Sequence, residues 1–225
     1  MERQGGEARR TRAFPYRVLG IDPGSRVTGY GVIELTGPGR SRYLECGVLR
    51  TSPKLPIDRR LVEIAQGLRE VVEELQPQVA AIEDVFYRKN ARSALLLGQA
   101  RGVALLVCAE KGLEIFSYPP AFVKKTVAGQ GRASKEQMQK MVTALCGLKH
   151  EPESDAADAL ALALCHASDD GLTRTLADVV AQGASSSSGR PGGRHSESAR
   201  MRRNGRAGNG IGRKNVGRNE TRGGT

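Results

Sequence analysis

The sequence contains no tryptophan, and its four phenylalanines and five tyrosines make up only 4% of 225 residues. That is too few aromatic side chains for an extended platform on which single-stranded nucleic acid would stack. The four cysteines show no C-x-x-C spacing and the three histidines show no paired spacing. The cysteines are therefore predicted to be reduced thiols rather than disulfides or zinc ligands. Metal chemistry, if present, must come from carboxylates.

Long apolar runs are also missing. No uninterrupted apolar segment reaches the ~18 residues that a membrane-spanning helix needs. The first fifteen residues carry charges of both signs without an apolar centre, so they do not resemble a signal peptide. These features favour a cytoplasmic protein with no membrane partner.

Positive charge is abundant, but it lies at the ends of the chain. The net charge is +11, yet residues 13–188 hold 21 basic and 20 acidic side chains, whereas ten Lys/Arg and two acids follow residue 188. We predict a disordered extension over 1–15, a single folded domain over 16–170 and a mostly disordered Gly/Ser/Arg-rich tail over 171–225. Such a tail would attract polyanions without sequence preference. A solvated extension with no specific role, or a poorly determined end of the reading frame, remains an alternative.

The hydrophobic periodicity predicts an α/β domain. Strands are expected at 17–22, 28–35, 43–50, 79–85 and 114–118, and helices within 55–77 and at 88–111, 134–146 and 155–167. Short, turn-rich connections between the first three strands predict an antiparallel meander, and Ser134 to Gln137 has the form of a capping box. The order βββαβαβαα implies a five-stranded mixed sheet with helices on both faces.

Small residues recur along one face of the second predicted helix. Ala91, Ala94, Gly98 and Gly102 are separated by three or four positions, which allows another backbone to approach closely. Tight packing on the sheet is the favoured interpretation. A helix–helix contact between two copies of the chain is the alternative.

Four acids occupy unusual positions. Asp22 and Glu83 each end an apolar strand, and Asp155 and Asp158 lie three apart on the first turn of an Ala/Leu-rich helix. Parallel neighbouring strands would bring Asp22 and Glu83 to one sheet edge, and a hard divalent cation would remove the cost of burying carboxylates together. Singly, Asp22 could shape a turn or a phosphate loop, Asp84 could point inward instead of Glu83, and the helical pair could complement the helix dipole.

Four motifs, in this order and spacing, closely resemble the RuvC family of Holliday junction resolvases: GIDPGSRVTGYGVI, AIEDVFYRKNARSALLLGQARGVAL, VKKTVAGQGRASKEQ and DAADALALALCHA. The resemblance covers residues 17–168. It implies an RNase H-like fold and a homodimer that resolves four-way DNA junctions in bacterial recombination and repair. Paired symmetric nicks would leave 5′-phosphate and 3′-hydroxyl ends. Docking to the branch-migration complex of the same pathway is a further expectation.

The resemblance also implies the site residues. The family's catalytic, metal-binding acids fall on Asp22, Glu83, Asp155 and Asp158, which would hold two Mg²⁺ ions per subunit, with Mn²⁺ as a substitute. Two such ions would activate water and stabilise the leaving 3′-oxygen. Asp22 is expected to anchor or bridge them, Glu83 and Asp158 to hold one each, and Asp155 to complete the set.

DNA contacts are predicted on two segments. In FYRKN, residues 86–90, the resemblance makes Phe86 the aromatic that contacts the junction, with Arg88 and Lys89 beside it as phosphate-binding cations. In VKKTVAGQGRASKEQ it assigns junction contacts to Lys124 and Lys135. Leu96 is a departure, since some relatives carry a lysine there. A core or rim aromatic and ordinary solvated lysines are the alternatives.

The sequence leaves three alternatives to a resolvase. An actin-like or sugar-kinase ATPase also begins with D-x-G-[ST] after a strand, but it needs two related lobes, and the core here has no internal repeat. An RNase H-like nuclease acting on RNA and a non-catalytic four-way-junction-binding protein are the remaining alternatives. Mg²⁺-dependent cutting of a junction and the absence of ATP binding would distinguish them.

Overall fold

The computed structural model describes the backbone of residues 12–84 and 91–186, and their side chains up to residue 171. The strands are β1 (Tyr16–Asp22), β2 (Val27–Gly37), β3 (Arg40–Arg50), β4 (Val79–Glu83) and β5 (Glu114–Tyr118). They form one sheet in the order β3-β2-β1-β4-β5. The first three strands form the predicted antiparallel meander, and β4 pairs in parallel with both β1 and β5. The predicted five-stranded mixed sheet is confirmed.

Helices cover both faces of this sheet, as predicted. They are α1 (Ile57–Leu75), α2 (Ala91–Glu110), α3 (Pro120–Ala128), α4 (Lys135–Leu145) and α5 (Ser154–Ser186). Successive residues of a strand face opposite sides, so Val18 packs in the core beneath α5 while Leu19 packs in the core beneath α1 and α2. The two apolar cores hold the sheet between the two helical layers.

Two helices differ from the prediction. Helix α3 was missed because Pro119-Pro120 is typical of a loop, yet Pro120 lies in the first turn, where a missing N–H costs nothing. Helix α5 was predicted to end at 167 but continues to Ser186, so the predicted domain boundary at 170 falls inside it. The capping box is confirmed, because Ser134 and Gln137 exchange side-chain-to-backbone hydrogen bonds of 3.2 and 2.8 Å.

Glycines in β1 and β2 allow α5 to lie unusually close to the sheet. A Cβ atom placed on Gly20 would lie 1.9 Å from the carbonyl oxygen of Ala159, and one on Gly29 would lie 1.9 Å from that of Asp155. No side chain fits in that space. The glycines of the first motif therefore bring the N-terminal turn of α5 against the end of β1.

Helix α2 differs from the prediction in one respect, the surroundings of its small residues. It is the one helix in the described segments that is long and apolar enough to cross a membrane, although its buried residues pack in the core beneath the sheet. The predicted tight packing of its small-residue face is wrong, since nothing lies within 4 Å of a Cβ placed on Gly98 or Gly102. Leu95 and Leu106 are 64% and 54% exposed. The helix therefore presents an open apolar stripe, consisting of Leu95, Gly98, Gly102 and Leu106, which we call the α2 stripe.

Candidate active site

The four predicted acids line one open cleft of about 680 Å³ at the carboxyl ends of β1 and β4. The parallel pairing of these strands places Ile21 beside Ile82, so Asp22 and Glu83 follow at the same edge of the sheet. Helix α5 begins at this edge and contributes Asp155 from its first turn and Asp158 three residues later. The structure thus brings together acids that are up to 136 positions apart in the chain.

The acids influence one another electrostatically. Burial, reinforced by the charges of Glu83, Asp158 and Asp155, raises the pKa of Asp22 from 3.8 to about 8, and Lys135 opposes this shift. Burial also raises the pKa of Asp158, against the effect of Lys135 and Lys124. In the protein alone, the negative charge of this cleft is therefore under-compensated.

The neighbouring Asp84 has a different environment from Glu83. Its carboxylate lies 3.5 Å from the guanidinium of Arg101, a residue of α2. Arg101 also donates a 3.0 Å hydrogen bond to the backbone carbonyl of Glu83 and a 2.8 Å bond to the hydroxyl of Ser117. Because Asp84 has a cation of its own while Glu83 raises the pKa of Asp22, the arrangement favours Glu83 as the acid that acts with Asp22.

Two lysines reach the same cleft. Lys135, the first residue of α4, has its Nζ 3.7 Å from Oδ2 of Asp158 and 3.3 Å from the Ser154 hydroxyl. Lys124, a residue of α3, also lines the cleft. The Lys135 side chain remains 71% exposed, so it is accessible to a phosphate group. Both lysines line the cleft, whereas Lys125 and Arg132 do not.

The donor chemistry of the cleft fits a divalent metal ion. Carboxylate oxygens are the ligands that hard cations prefer, and a cation would offset both the burial and the repulsion that raise the pKa of Asp22. Among the described residues, no three Asp, Glu, His or Cys side chains are already gathered into a coordinating group. The four acids share the cleft without forming a finished coordination shell.

Part of the predicted DNA surface lies outside the described residues, namely Phe86, Arg88 and Lys89. Conversely, the structure adds residues that the sequence did not indicate. Gly29 allows Asp155 to approach, Arg101 contacts the backbone of Glu83, and Arg60 contacts the segment after Asp22. A buried arginine has no distinctive sequence pattern. For Gly29, the clustering of glycines in the first motif could have indicated a close contact.

The chain matches the family model described as "Crossover junction endodeoxyribonuclease RuvC" over residues 18–166. A relative from Chloroflexus aggregans with this name is 49% identical over 152 residues, which cover 67% of this chain and 92% of the relative. Another, from Pelobacter propionicus, is 46% identical over 170 residues, covering 76% of this chain and 96% of the relative.

A solved structure supports the same relationship. The structure titled "T. thermophilus RuvC in complex with Holliday junction substrate" superposes with a TM-score of 0.66 and is 36% identical, covering 70% of this chain and 96% of that one. The predicted RNase H-like architecture is thereby confirmed.

Proposed function

This chain belongs to the RuvC family of crossover junction endodeoxyribonucleases, and on that premise we propose that it resolves four-way DNA junctions by Mg²⁺-dependent hydrolysis of phosphodiester bonds. The observation that carries the metal dependence is the convergence of Asp22, Glu83, Asp155 and Asp158 on one cleft. Recombination and repair in the bacterial cytoplasm are the setting that this activity implies.

Different residues of the chain would bind the metal ions and the DNA. The four carboxylates would hold two Mg²⁺ ions, for which Mn²⁺ can substitute. When bound, such ions lower the pKa of an attacking water and stabilise charge on the leaving 3′-oxygen. Asp22 would anchor or bridge the ions, since its buried carboxylate lies within electrostatic reach of all three other acids. Lys124 and Lys135 bind the DNA phosphates at the mouth of the cleft, with Phe86, Arg88 and Lys89 as further predicted contacts.

Asp22 also limits the pH range of the reaction. A carboxylate that retains its proton up to about pH 8 must lose it before it can bind a cation. Protons and Mg²⁺ therefore compete, and the Mg²⁺ concentration needed for cutting should fall as the pH rises. The products would be a 5′-phosphate and a 3′-hydroxyl, which a ligase can seal.

We further propose that the chain acts as a homodimer joined through the α2 stripe. Paired nicks on two opposed strands require two sets of acids, and each chain carries one. The α2 stripe exposes two leucines flanking two glycines with open space above them, a surface suited to a second copy of the same helix. Docking to the branch-migration complex and a contribution of the basic tail to DNA binding remain predictions.

A synthetic mobile four-way junction tests the proposal. Wild-type protein and an Asp22→Asn variant are incubated with it in Mg²⁺ or in chelator, and both binding and cutting are measured. Symmetric, ligatable nicks that require Mg²⁺ and disappear in the variant, while binding persists, are the expected result. Tight binding without nicks in either buffer would instead establish a non-catalytic junction-binding protein. An ATP-binding assay separates the ATPase alternative.

A further inference from the structure

The inference concerns the connection between β1 and β2, residues 23–26, which we call the Asp22 loop. It follows Asp22 directly, and three of its residues, Pro23, Gly24 and Ser25, line the cleft. Its conformation therefore sets where the Asp22 carboxylate lies. Two groups of hydrogen bonds fix this loop.

The first group comes from β2. The hydroxyl of the fully buried Thr28 donates a 2.8 Å hydrogen bond to the carbonyl of Gly24 and accepts one of 3.3 Å from its N–H. This contact is local and closes the loop on itself. It fixes the first half of the loop but leaves Ser25 and Arg26 to be held by other elements.

The second group centres on Arg60, a residue of α1 that is only 8% exposed. Its Nη2 donates to the backbone carbonyl of Ser25 and, at 3.0 Å, to the Ser25 hydroxyl. Its Nε donates a 3.2 Å bond to the hydroxyl of Thr51, which in turn donates to the Ser25 carbonyl at 3.0 Å. The N–H of Thr51 bonds the carbonyl of Arg26 at 3.0 Å. One guanidinium thus joins α1, the residue after β3 and the Asp22 loop.

Arg60 has no acidic partner among the residues that the structure describes. Within the described segments, no carboxylate lies within 4.0 Å of its guanidinium, so its buried charge is balanced by carbonyl and hydroxyl dipoles. A buried charge of this kind is costly, and the planar fork of arginine allows the three acceptors to be bound at once. Its neighbour Arg59 is 72% exposed and makes only a 3.8 Å contact with Asp58.

We infer that Arg60 is a positioning residue for the metal site, acting through the Asp22 loop rather than through contact with metal or DNA. It holds Ser25 and Arg26 so that the Asp22 carboxylate stays in the cleft that it shares with the other three acids. The inference rests on the proposed metal-dependent function. It predicts that loss of the guanidinium weakens metal binding more than it weakens the fold or junction binding.

The test compares wild type with Arg60→Gln, Arg60→Lys and the matched control Arg59→Gln. Binding of Mn²⁺ to DNA-free protein is measured by titration calorimetry, and thermal unfolding is recorded without metal. Junction binding is measured in Ca²⁺, and single-turnover cutting is measured across a Mg²⁺ series. Mutation of residues that hold metal ligands in place typically lowers metal affinity by about 10–100-fold.

For Arg60→Gln we expect Mn²⁺ affinity to fall about 10-fold and the Mg²⁺ midpoint for cutting to rise in parallel, with junction binding changed less than about 2-fold. Arg60→Lys should fall between that variant and wild type, because it keeps the charge and loses the fork. Arg59→Gln should match wild type throughout. A folded Arg60→Gln protein with wild-type Mn²⁺ affinity and Mg²⁺ midpoint would overturn the inference.

Two further outcomes are decisive. If Arg60→Gln does not fold, Arg60→Lys and Ser25→Ala, which removes one acceptor at the cleft wall, are measured in the same assays. Wild-type metal affinity in both would overturn the inference. If wild-type protein itself fails to cut in Mg²⁺, the proposed function fails, while the Mn²⁺ titrations still decide the role of Arg60.

Discussion

Helices α2 and α5 are both rich in alanine, leucine and small residues, but they use them in opposite ways. Helix α5 lies against Gly20 and Gly29 so closely that a single added methyl group would collide with its backbone. Helix α2 buries Ala100, Ala104 and Val107 and leaves the α2 stripe open. Small residues permit close approach, which α5 and the sheet use within one chain. Helix α5 builds the site, whereas the α2 stripe is the surface that we propose for contact with a second copy.

The largest expected effect comes from filling the space beneath α5. Gly29→Ala should lower the free energy of unfolding by about 3 kcal/mol, because the new Cβ meets the Asp155 carbonyl. Denaturant unfolding measures this. The matched control is Gly98→Ala at a concentration where the chain is monomeric, which should raise stability by about 0.5–1 kcal/mol. Equal losses in both variants would show that the two helices do not differ as described.

A charge on the α2 stripe tests the other half of the comparison. Leu106→Glu should weaken self-association about 10-fold or more, and should convert paired cuts into single nicks, because it places a charge in the proposed interface. Sedimentation and junction cutting measure the two effects. Leu145→Glu, at an exposed leucine of α4, is the control and should leave both unchanged. If Leu106→Glu still forms a dimer, the interface does not include the α2 stripe.

The acids gathered by α5 should make the free energy of unfolding depend on pH. The α2 stripe contains no acid and should contribute no such dependence. The folded pKa of Asp22 is raised to about 8, so folded protein binds a proton that unfolded protein has lost. This stabilisation is complete below about pH 4 and disappears as the pH rises to about 8.

In metal-free buffer, thermal unfolding should therefore show wild type losing stability across this pH range more steeply than Asp22→Asn. A change of 1 kcal/mol in the free energy of unfolding shifts the Tm of a chain of this size by about 2–4 °C, so the difference is measurable. Glu63→Gln, at an exposed acid of α1, is the control. Identical slopes for wild type and Asp22→Asn would contradict the assignment of Asp22 as a buried, charge-coupled acid.

The smallest effect concerns the chain after α5. Deleting residues 187–225 removes ten basic and two acidic side chains without shortening α5. Metal-dependent cutting should be unchanged, while non-specific DNA binding should weaken and show a shallower salt dependence. Filter binding across a salt series measures this. Loss of cutting after the truncation would show that the tail does more than attract DNA.

Much of this protein follows from local pattern. Alternating and helical periodicities predict all five strands and four of the five helices, and the acids at the strand ends are recognisable from the sequence alone. Helix α3 was missed because local turn chemistry and helix initiation use the same proline residues. Of the predicted DNA contacts, Lys124 and Lys135 reach the cleft, and their binding to DNA remains a prediction.

Other properties were decided only by the tertiary structure. Arg59 and Arg60 are adjacent and chemically identical, yet one is exposed and the other is buried against the Asp22 loop. Likewise, nothing in the sequence of α2 indicates which of its small residues face the sheet. Periodicity specifies that a helix has faces, but which face is buried depends on what the rest of the chain places beside it. The sequence determined the four acids and their elements, and the packing of α5 and α1 around β1 determined how those acids are held together.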